Sequence, residues 1–227
     1  MDESSWSGVA GEVIDASGNG NNGVRAGDAT TGQGKFGNGG TFDGSGDYIS
    51  LGNNSVCHFE YNSSFTISFW INPTNFSSFR QFLAKHNGGY VGVNYGYSAN
   101  SGSIEFTLRG TGGGNTHIRW GALPTVGTWT NVTLTSSGGN VAGTDLYYNG
   151  VKQSKGYTVD TLTASTANSN NCHIGSEVDP GAYMLGKLDE YRIYNRALSP
   201  AEVRALYEYA PGPSLHLKMD EGTGSSA

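Results

Sequence analysis

The chain has 227 residues, 13 Lys and Arg against 19 Asp and Glu for a net charge of −6, and 36 glycines. That balance lacks the basic stripe that phosphate binding needs, which argues against a nucleic-acid role. No apolar run reaches the roughly 18 residues of a membrane-crossing helix, and with 11% aromatics and no three-residue glycine period the chain is neither disordered linker nor collagen-like.

Met1-Asp2-Glu3 has no apolar h-region, so no secretory signal opens the chain. The expectation is a cytoplasmic protein or one unit of a longer chain. The first feature is the loop Asp15-Ala-Ser-Gly-Asn-Gly-Asn-Asn-Gly23. Asp15, Ser17 and Asn19 stand at alternate positions with Gly20 next, as in the first half of an EF-hand loop, and oxygens so spaced converge on a hard cation. The bidentate Glu of an EF-hand is absent, since Ala26 stands in its place. The loop is therefore a calcium site completed by a distant acid, with Asn22 contributing an oxygen, or a set of Asn/Gly turns in which Asp15 caps its own backbone. Gly18, Gly20 and Gly23 also spell a dinucleotide fingerprint, but residues 24–34 are Gly/Thr-rich rather than helical, so nucleotide binding is not expected.

Next comes Phe65-Thr-Ile-Ser-Phe-Trp-Ile71, strictly alternating, with Phe65, Ile67, Phe69 and Ile71 on one face and Thr66, Ser68 and Trp70 on the other. Ile104, Phe106 and Leu108 alternate in the same way with Glu105, Thr107 and Arg109. Further strands are predicted at Tyr90–Tyr95, His117–Gly121, Thr130–Thr135, Asp145–Tyr148, Cys172–Gly175 and Lys187–Tyr194, with turns at Gly138-Gly139 and Asn149-Gly150. So many short, one-sided strands imply two packed antiparallel sheets. One helix follows: Ser199-Pro-Ala-Glu202 is a capping box, Val203, Leu206 and Tyr207 form an apolar stripe, and Pro211-Gly212 ends it. Cys57 and Cys172 are either bridged, which would imply an oxidising compartment, or two buried thiols. Last, Met1-Asp-Glu recurs as Met219-Asp-Glu after an alternating strand, Leu215-His-Leu-Lys-Met219. This echo reads as one unit of a tandem array with a period near the length of the chain.

Gly186-Lys-Leu-Asp-Glu-Tyr-Arg-Ile-Tyr-Asn-Arg-Ala-Leu-Ser-Pro-Ala-Glu-Val-Arg-Ala-Leu-Tyr207 resembles the closing signature of laminin-G-like domains of the concanavalin A-like fold. Asp15–Gly23, Phe42-Asp-Gly-Ser-Gly-Asp-Tyr-Ile49, Ser64–Trp70 and Leu146-Tyr-Tyr-Asn-Gly150 match the family in order. The resemblance implies an all-β, two-sheet antiparallel jelly-roll sandwich over residues 1–210. Residues 211–227 would be a linker and the opening strand of a following repeat. The family's own opening strand is missing before Met1, so Leu215–Glu221 would fill that slot in its own chain or a neighbour's. The resemblance also nominates Asp189 as the acid completing a structural calcium site with Asp15, Asn19 and Asn22.

Some jelly rolls of this fold hydrolyse β-glucans with paired glutamates on one strand. Glu177-Val-Asp179 begins that pattern, but Ala182 stands where the second acid should be and Pro180 interrupts the strand. No enzyme is expected. Sugar recognition in such sandwiches uses aromatic faces with planar polar partners. Trp70, Arg109 and Arg119 fall on non-core faces in the predicted register, and Tyr95 and Tyr97 in a Gly/Asn loop. Trp70, Tyr95, Arg109 and Arg119 form the candidate ligand set. The expectation is a calcium-stabilised carbohydrate-binding or adhesive module of a large extracellular or cell-surface repeat protein, with glycan or glycoprotein ligands and neighbouring repeats as partners and no membrane insertion. The alternative is a structural spacer or self-assembling, strand-donating unit.

Overall fold

The computed structural model describes residues 2–86, 91–98, 101–177 and 182–208, and of Tyr97 the backbone alone. Tyr90, Asp179, Pro180 and the whole segment 211–227 lie outside the described residues. The strands are β1 (Val24–Ala26), β2 (Thr30–Gln33), β3 (Asn38–Asp43), β4 (Tyr48–Ser50), β5 (Ser64–Pro73), β6 (Arg80–His86), β7 (Gly92–Ser98) and β8 (Ser103–Arg109). They continue with β9 (Asn115–Trp120), β10 (Thr130–Ser137), β11 (Thr144–Tyr148), β12 (Val151–Lys152), β13 (Thr158–Asp160), β14 (His173–Ile174) and β15 (Leu185–Tyr194), and the helix α1 (Pro200–Glu208) closes the described chain.

The strands form an antiparallel sandwich of two sheets. The front sheet has eight strands in the order β1-β4-β14-β6-β7-β8-β9-β13, and the back sheet seven in the order β12-β11-β10-β5-β15-β3-β2. The alternation in β5 and β8 sends Ile67, Phe69, Phe106 and Leu108 into one shared core, where they are fully buried. The rings of Phe69, Phe82, Tyr95 and Phe106 meet there at centroid distances of 5.4–6.1 Å. Each buried Phe or Leu stabilises by about 1.5–3 kcal/mol, so this interface is the main adhesive between the sheets.

Two features differ from one-sided strands. First, β5 and β10 are buried on both faces, because α1 and the β2–β3 turn lie over the outer side of the back sheet. Their outward hydroxyls pair with each other instead of water: Ser68 Oγ meets Thr133 Oγ1 at 2.8 Å. Second, among the described residues, β3 and β5 pair with different lengths of β15. The partner β5 follows it from Gly186 to Tyr194, with a bulge after Asp189, whereas β3 pairs only with Leu185–Leu188.

The helix begins as its capping box requires. Glu202 N donates to Ser199 Oγ at 3.3 Å and Ser199 N donates to Glu202 Oε2 at 2.9 Å. At Asn149-Gly150 both φ angles are positive, 50° and 75°, the geometry that a two-residue hairpin needs and that Gly adopts without strain. Cys57 and Cys172 are joined in a disulfide, closing the alternative of two thiols. It ties the turn after β4 to the start of β14. No helix among the described residues is long and apolar enough to cross a membrane.

Candidate functional site

The loop expected to bind calcium is built around Asp15. Its Oδ1 accepts Ser17 N at 2.9 Å, and its Oδ2 accepts Asn21 N at 2.9 Å and Asn21 Nδ2 at 3.2 Å. Asn22 Oδ1 accepts Asp15 N, and Asn19 donates to Ser17 Oγ. Hydrogen bonds from Ser17, then from Asn21, hold the Asp15 carboxyl below its ordinary range despite some desolvation. After Gly18, Gly20 and Gly23 comes strand β1 rather than a helix, so the glycine pattern is not a dinucleotide fingerprint.

The resemblance nominates Asp189 as a calcium ligand; in the fold its carboxylate accepts three backbone amides. It is buried at the tip of the β2–β3 hairpin, where Oδ2 accepts Lys35 N at 2.8 Å and Phe36 N at 2.9 Å, and Oδ1 accepts Glu190 N at 2.7 Å. A Cβ at Gly34 would lie 2.6 Å from Asp189 Oδ2, so this approach requires glycine. Burial pushes the Asp189 carboxyl up, against the lowering effect of these amides.

Among the described residues, the acidic side chains that do converge are Asp28, Asp43 and Asp47, whose carboxylate oxygens lie within 4.8 Å of one another. Asp47 is buried and accepts Asp28 N and Asp43 N, both at 2.9 Å. Burial raises its carboxyl, and the side chains of Asp28 and Asp43 raise it further. Sequence reasoning missed this trio. Its signal was Asp43-Gly-Ser-Gly-Asp47, a glycine-relieved turn carrying two acids, but Asp28 joins it only through the fold.

The four residues expected to meet a ligand separate. Trp70 does face away from the core, yet it is only 5% exposed. Lys35 Nζ lies 4.6 Å from its ring, with Phe36 and Tyr207 centroids at 5.8 Å, so helix and hairpin cover it. Tyr95 lies not in an exposed loop but in the middle of β7, with its ring wholly buried in the core. Cross-strand pairing decides this: Tyr95 stands opposite Leu83 and Phe106, which face inward. Its expected role in an exposed loop is therefore corrected, and so is an open ring for Trp70.

Arg109 and Arg119 do share a surface, the outer face of the front sheet. There Glu105 stands opposite Arg119, Thr107 opposite His117 and Arg109 opposite Asn115. Glu105 Oε1 meets Arg119 Nε at 2.7 Å, Glu105 Oε2 meets His117 Nε2 at 3.3 Å, and Ser101 Oγ donates to Glu105 Oε1 at 2.6 Å. The edge strand β13 brings Tyr157 alongside, because Arg119 N donates to Tyr157 O at 2.9 Å. The Arg119 guanidinium carbon sits 4.8 Å from the Tyr157 ring centroid, and His117 meets that ring edge-on at 5.6 Å. Tyr157 is 53% exposed.

Burial pushes the Glu105 carboxyl up, but hydrogen bonds from His117 and Ser101 and the charge of Arg119 overcome it and leave it at about 2. Glu105 is thus an ionised anchor, unsuited to donate a proton at neutral pH. Farther along the same face, His173, opposite Ala84, packs on Tyr48 with ring centroids 4.3 Å apart and planes tilted by 31°, and His86 meets Glu177 at 3.5 Å. This face offers planar donors held beside a half-exposed aromatic ring.

Residues 43–204 match the family model of the concanavalin A-like lectin/glucanases superfamily. The chain belongs to this superfamily. Its described strands agree with it, forming the two-sheet jelly roll. Similar solved structures include the binding domain of Paraclostridial Mosquitocidal Protein 1, at 21% identity and TM-score 0.65 over 85% of this chain and 48% of that one. The botulinum neurotoxin serotype G binding domain is similar at 16% identity and TM-score 0.64, over 90% of this chain and 50% of that one. The serotype D binding domain follows at 19% identity and TM-score 0.59, over 86% and 48%. The chain therefore spans about half the length of these structures. No curated protein matches it by sequence.

Proposed function

We propose that this chain is a non-catalytic, calcium-stabilised module that binds a carbohydrate or glycoprotein, or serves adhesion, within an extracellular or cell-surface repeat protein. The observation that carries the reading is the Glu105–Arg119–Tyr157 arrangement on the outer front sheet. A carboxylate holds the guanidinium 4.8 Å from the centroid of an exposed ring, so the remaining donors are oriented beside that ring before a ligand arrives. Sugars ask for that combination, an apolar face and directed polar partners. Superfamily membership, the likeness to toxin binding domains and a disulfide of the kind that persists in oxidising compartments support it.

A glycan array followed by titration of the best sugar tests the site. Arg119→Ala and Tyr157→Ala should each weaken binding at least tenfold, and Trp70→Phe should leave it unchanged. A blank array for the parent chain, or unaltered binding in both front-sheet variants, overturns the reading. Calcium is part of the same proposal, as an ion held by loop oxygens. Calorimetric titration assigns it: loss in Asp15→Asn favours the Asp15 loop, loss in Asp47→Asn favours the three-carboxylate cluster, and no heat with the parent removes calcium from the account. A second reading, a spacer or self-assembling unit, predicts a blank array with concentration-dependent fibres.

A further inference from the structure

We propose that the outer face of the back sheet holds a further binding site, a groove beside α1 that takes a neutral saccharide. The groove encloses about 400 Å³, within the range of small-ligand pockets. Its floor is set by register. Leu134 and Leu146 point into the core, so Thr135, Ser137 and Asp145 on the same two strands point outward, with Thr135 standing opposite Asp145. Lys152, on the edge strand β12, forms one side. Leu198 and Pro200, in the turn that leads from β15 into α1, form the other.

Both sides are held in place before a ligand arrives. Thr66 Oγ1 donates to Arg196 O at 2.8 Å and accepts Leu198 N at 3.0 Å, which fixes the turn to β5. Leu198 then packs with Tyr147 and Val203 in a small cluster of its own. On the other side Lys152 Nζ meets Asp145 Oδ2 at 2.7 Å, and Lys155 Nζ meets Asp145 Oδ1 at 3.1 Å. Burial pushes the Asp145 carboxyl up, but the two lysines outweigh it and hold the group below its ordinary range. Groups fixed in this way cost little further ordering when they bind.

The lining selects the ligand. An ionised carboxylate only accepts and an ammonium only donates, and here the two lie side by side. Adjacent hydroxyls of a sugar satisfy both at once, one donating to Asp145 and the next accepting from Lys152. Thr135 and Ser137 add hydroxyls that do either, and Leu198 with Pro200 offers apolar surface to the C–H face of the ring. An anion would meet the ionised Asp145, and a wholly apolar ligand would strip water from the ion pair without replacing its hydrogen bonds. Tyr147, the aromatic residue of the lining, is 4% exposed and presents little ring face, so the groove binds more weakly than a site with an open ring. It lies on the opposite side of the sandwich from Arg119 and Tyr157, so its ligand does not compete with one on the front sheet.

Amide chemical shifts of the full chain test this, in titrations with glucose, galactose, mannose, lactose and cellobiose at millimolar concentration and with glucuronate as the charged comparison. At least one neutral sugar should move the amides of Ser137, Gly143, Asp145 and Lys152 in a saturable way. It should do so equally in a chain carrying both Arg119→Ala and Tyr157→Ala, which disable the front sheet. Lys152→Met and Asp145→Ala should each weaken that binding about tenfold, while Val151→Thr, at an exposed neighbour, should leave it unchanged. The Lys152 side chain is exposed, so Lys152→Met reads the groove even where Asp145→Ala disturbs the fold. No shift of these amides with any neutral sugar overturns the proposal. So does binding unaltered in Lys152→Met, or glucuronate bound more tightly than glucose. Each of these results leaves the front-sheet reading intact, because that reading is tested separately by Arg119→Ala and Tyr157→Ala.

Discussion

Replacing Trp70 by alanine separates a structural indole from a ligand-binding one. The ring is 5% exposed and lies between Lys35, Phe36 and Tyr207. A buried Trp hides about 150–250 Å². At about 25 cal/mol per Å² that is about 4–6 kcal/mol of transfer free energy, an upper bound because the unfolded chain already hides part of that area. Large-to-small changes at such rings cost about 3–5 kcal/mol. About 4 kcal/mol is therefore expected, with much of it from loosened docking of α1 onto the back sheet. For a domain of this size that lowers Tm by about 8–16 °C. Urea unfolding of the parent, Trp70→Ala and Trp70→Phe measures the loss directly, and the phenylalanine variant should recover more than half of it. A loss below about 1 kcal/mol in Trp70→Ala would refute the reasoning. So would a variant of normal stability that no longer binds ligand.

The acid limb of stability should depend on Glu105. Its carboxyl sits at about 2 in the fold against 4.5 ordinarily, so its contribution is whole above about 4.5 and is lost as pH falls from there towards 2. Because the group is partly solvated, the effect is about 1–2 kcal/mol; Glu105→Gln should flatten the urea midpoint between pH 5 and 2, and an unchanged slope would count against the Arg119 and His117 pairing. Removing the bridge with Cys57→Ser and Cys172→Ser frees a loop closed across 115 residues, which should cost about 2–5 kcal/mol in thermal unfolding. Asp189→Asn keeps the shape but leaves an amide N–H₂ against one of the backbone donors, so about 1–3 kcal/mol of stability should go, with faster exchange at the Lys35 and Phe36 amides.

Alternation alone fixed much of the fold. Phe65–Ile71 and Ile104–Arg109 each have one apolar face, and a period of two with frequent Gly/Asn turns leaves little but paired sheets. The capping box at Ser199 likewise starts its helix through contacts three residues apart. Local rules also placed Arg109 and Arg119 away from the core. They failed at Tyr95, whose Gly/Asn neighbours read as loop although cross-strand pairing with Leu83 and Phe106 sends it inward. They failed at Trp70 as well, because periodicity identifies a strand's second face and says nothing about what covers it. The trio Asp28, Asp43 and Asp47, the partnership of Glu105 with Arg119 and Tyr157, and the hairpin clamped by Asp189 join residues from different strands. Register and sheet order set such meetings, and these are properties of the whole chain packed on itself rather than of any window along it.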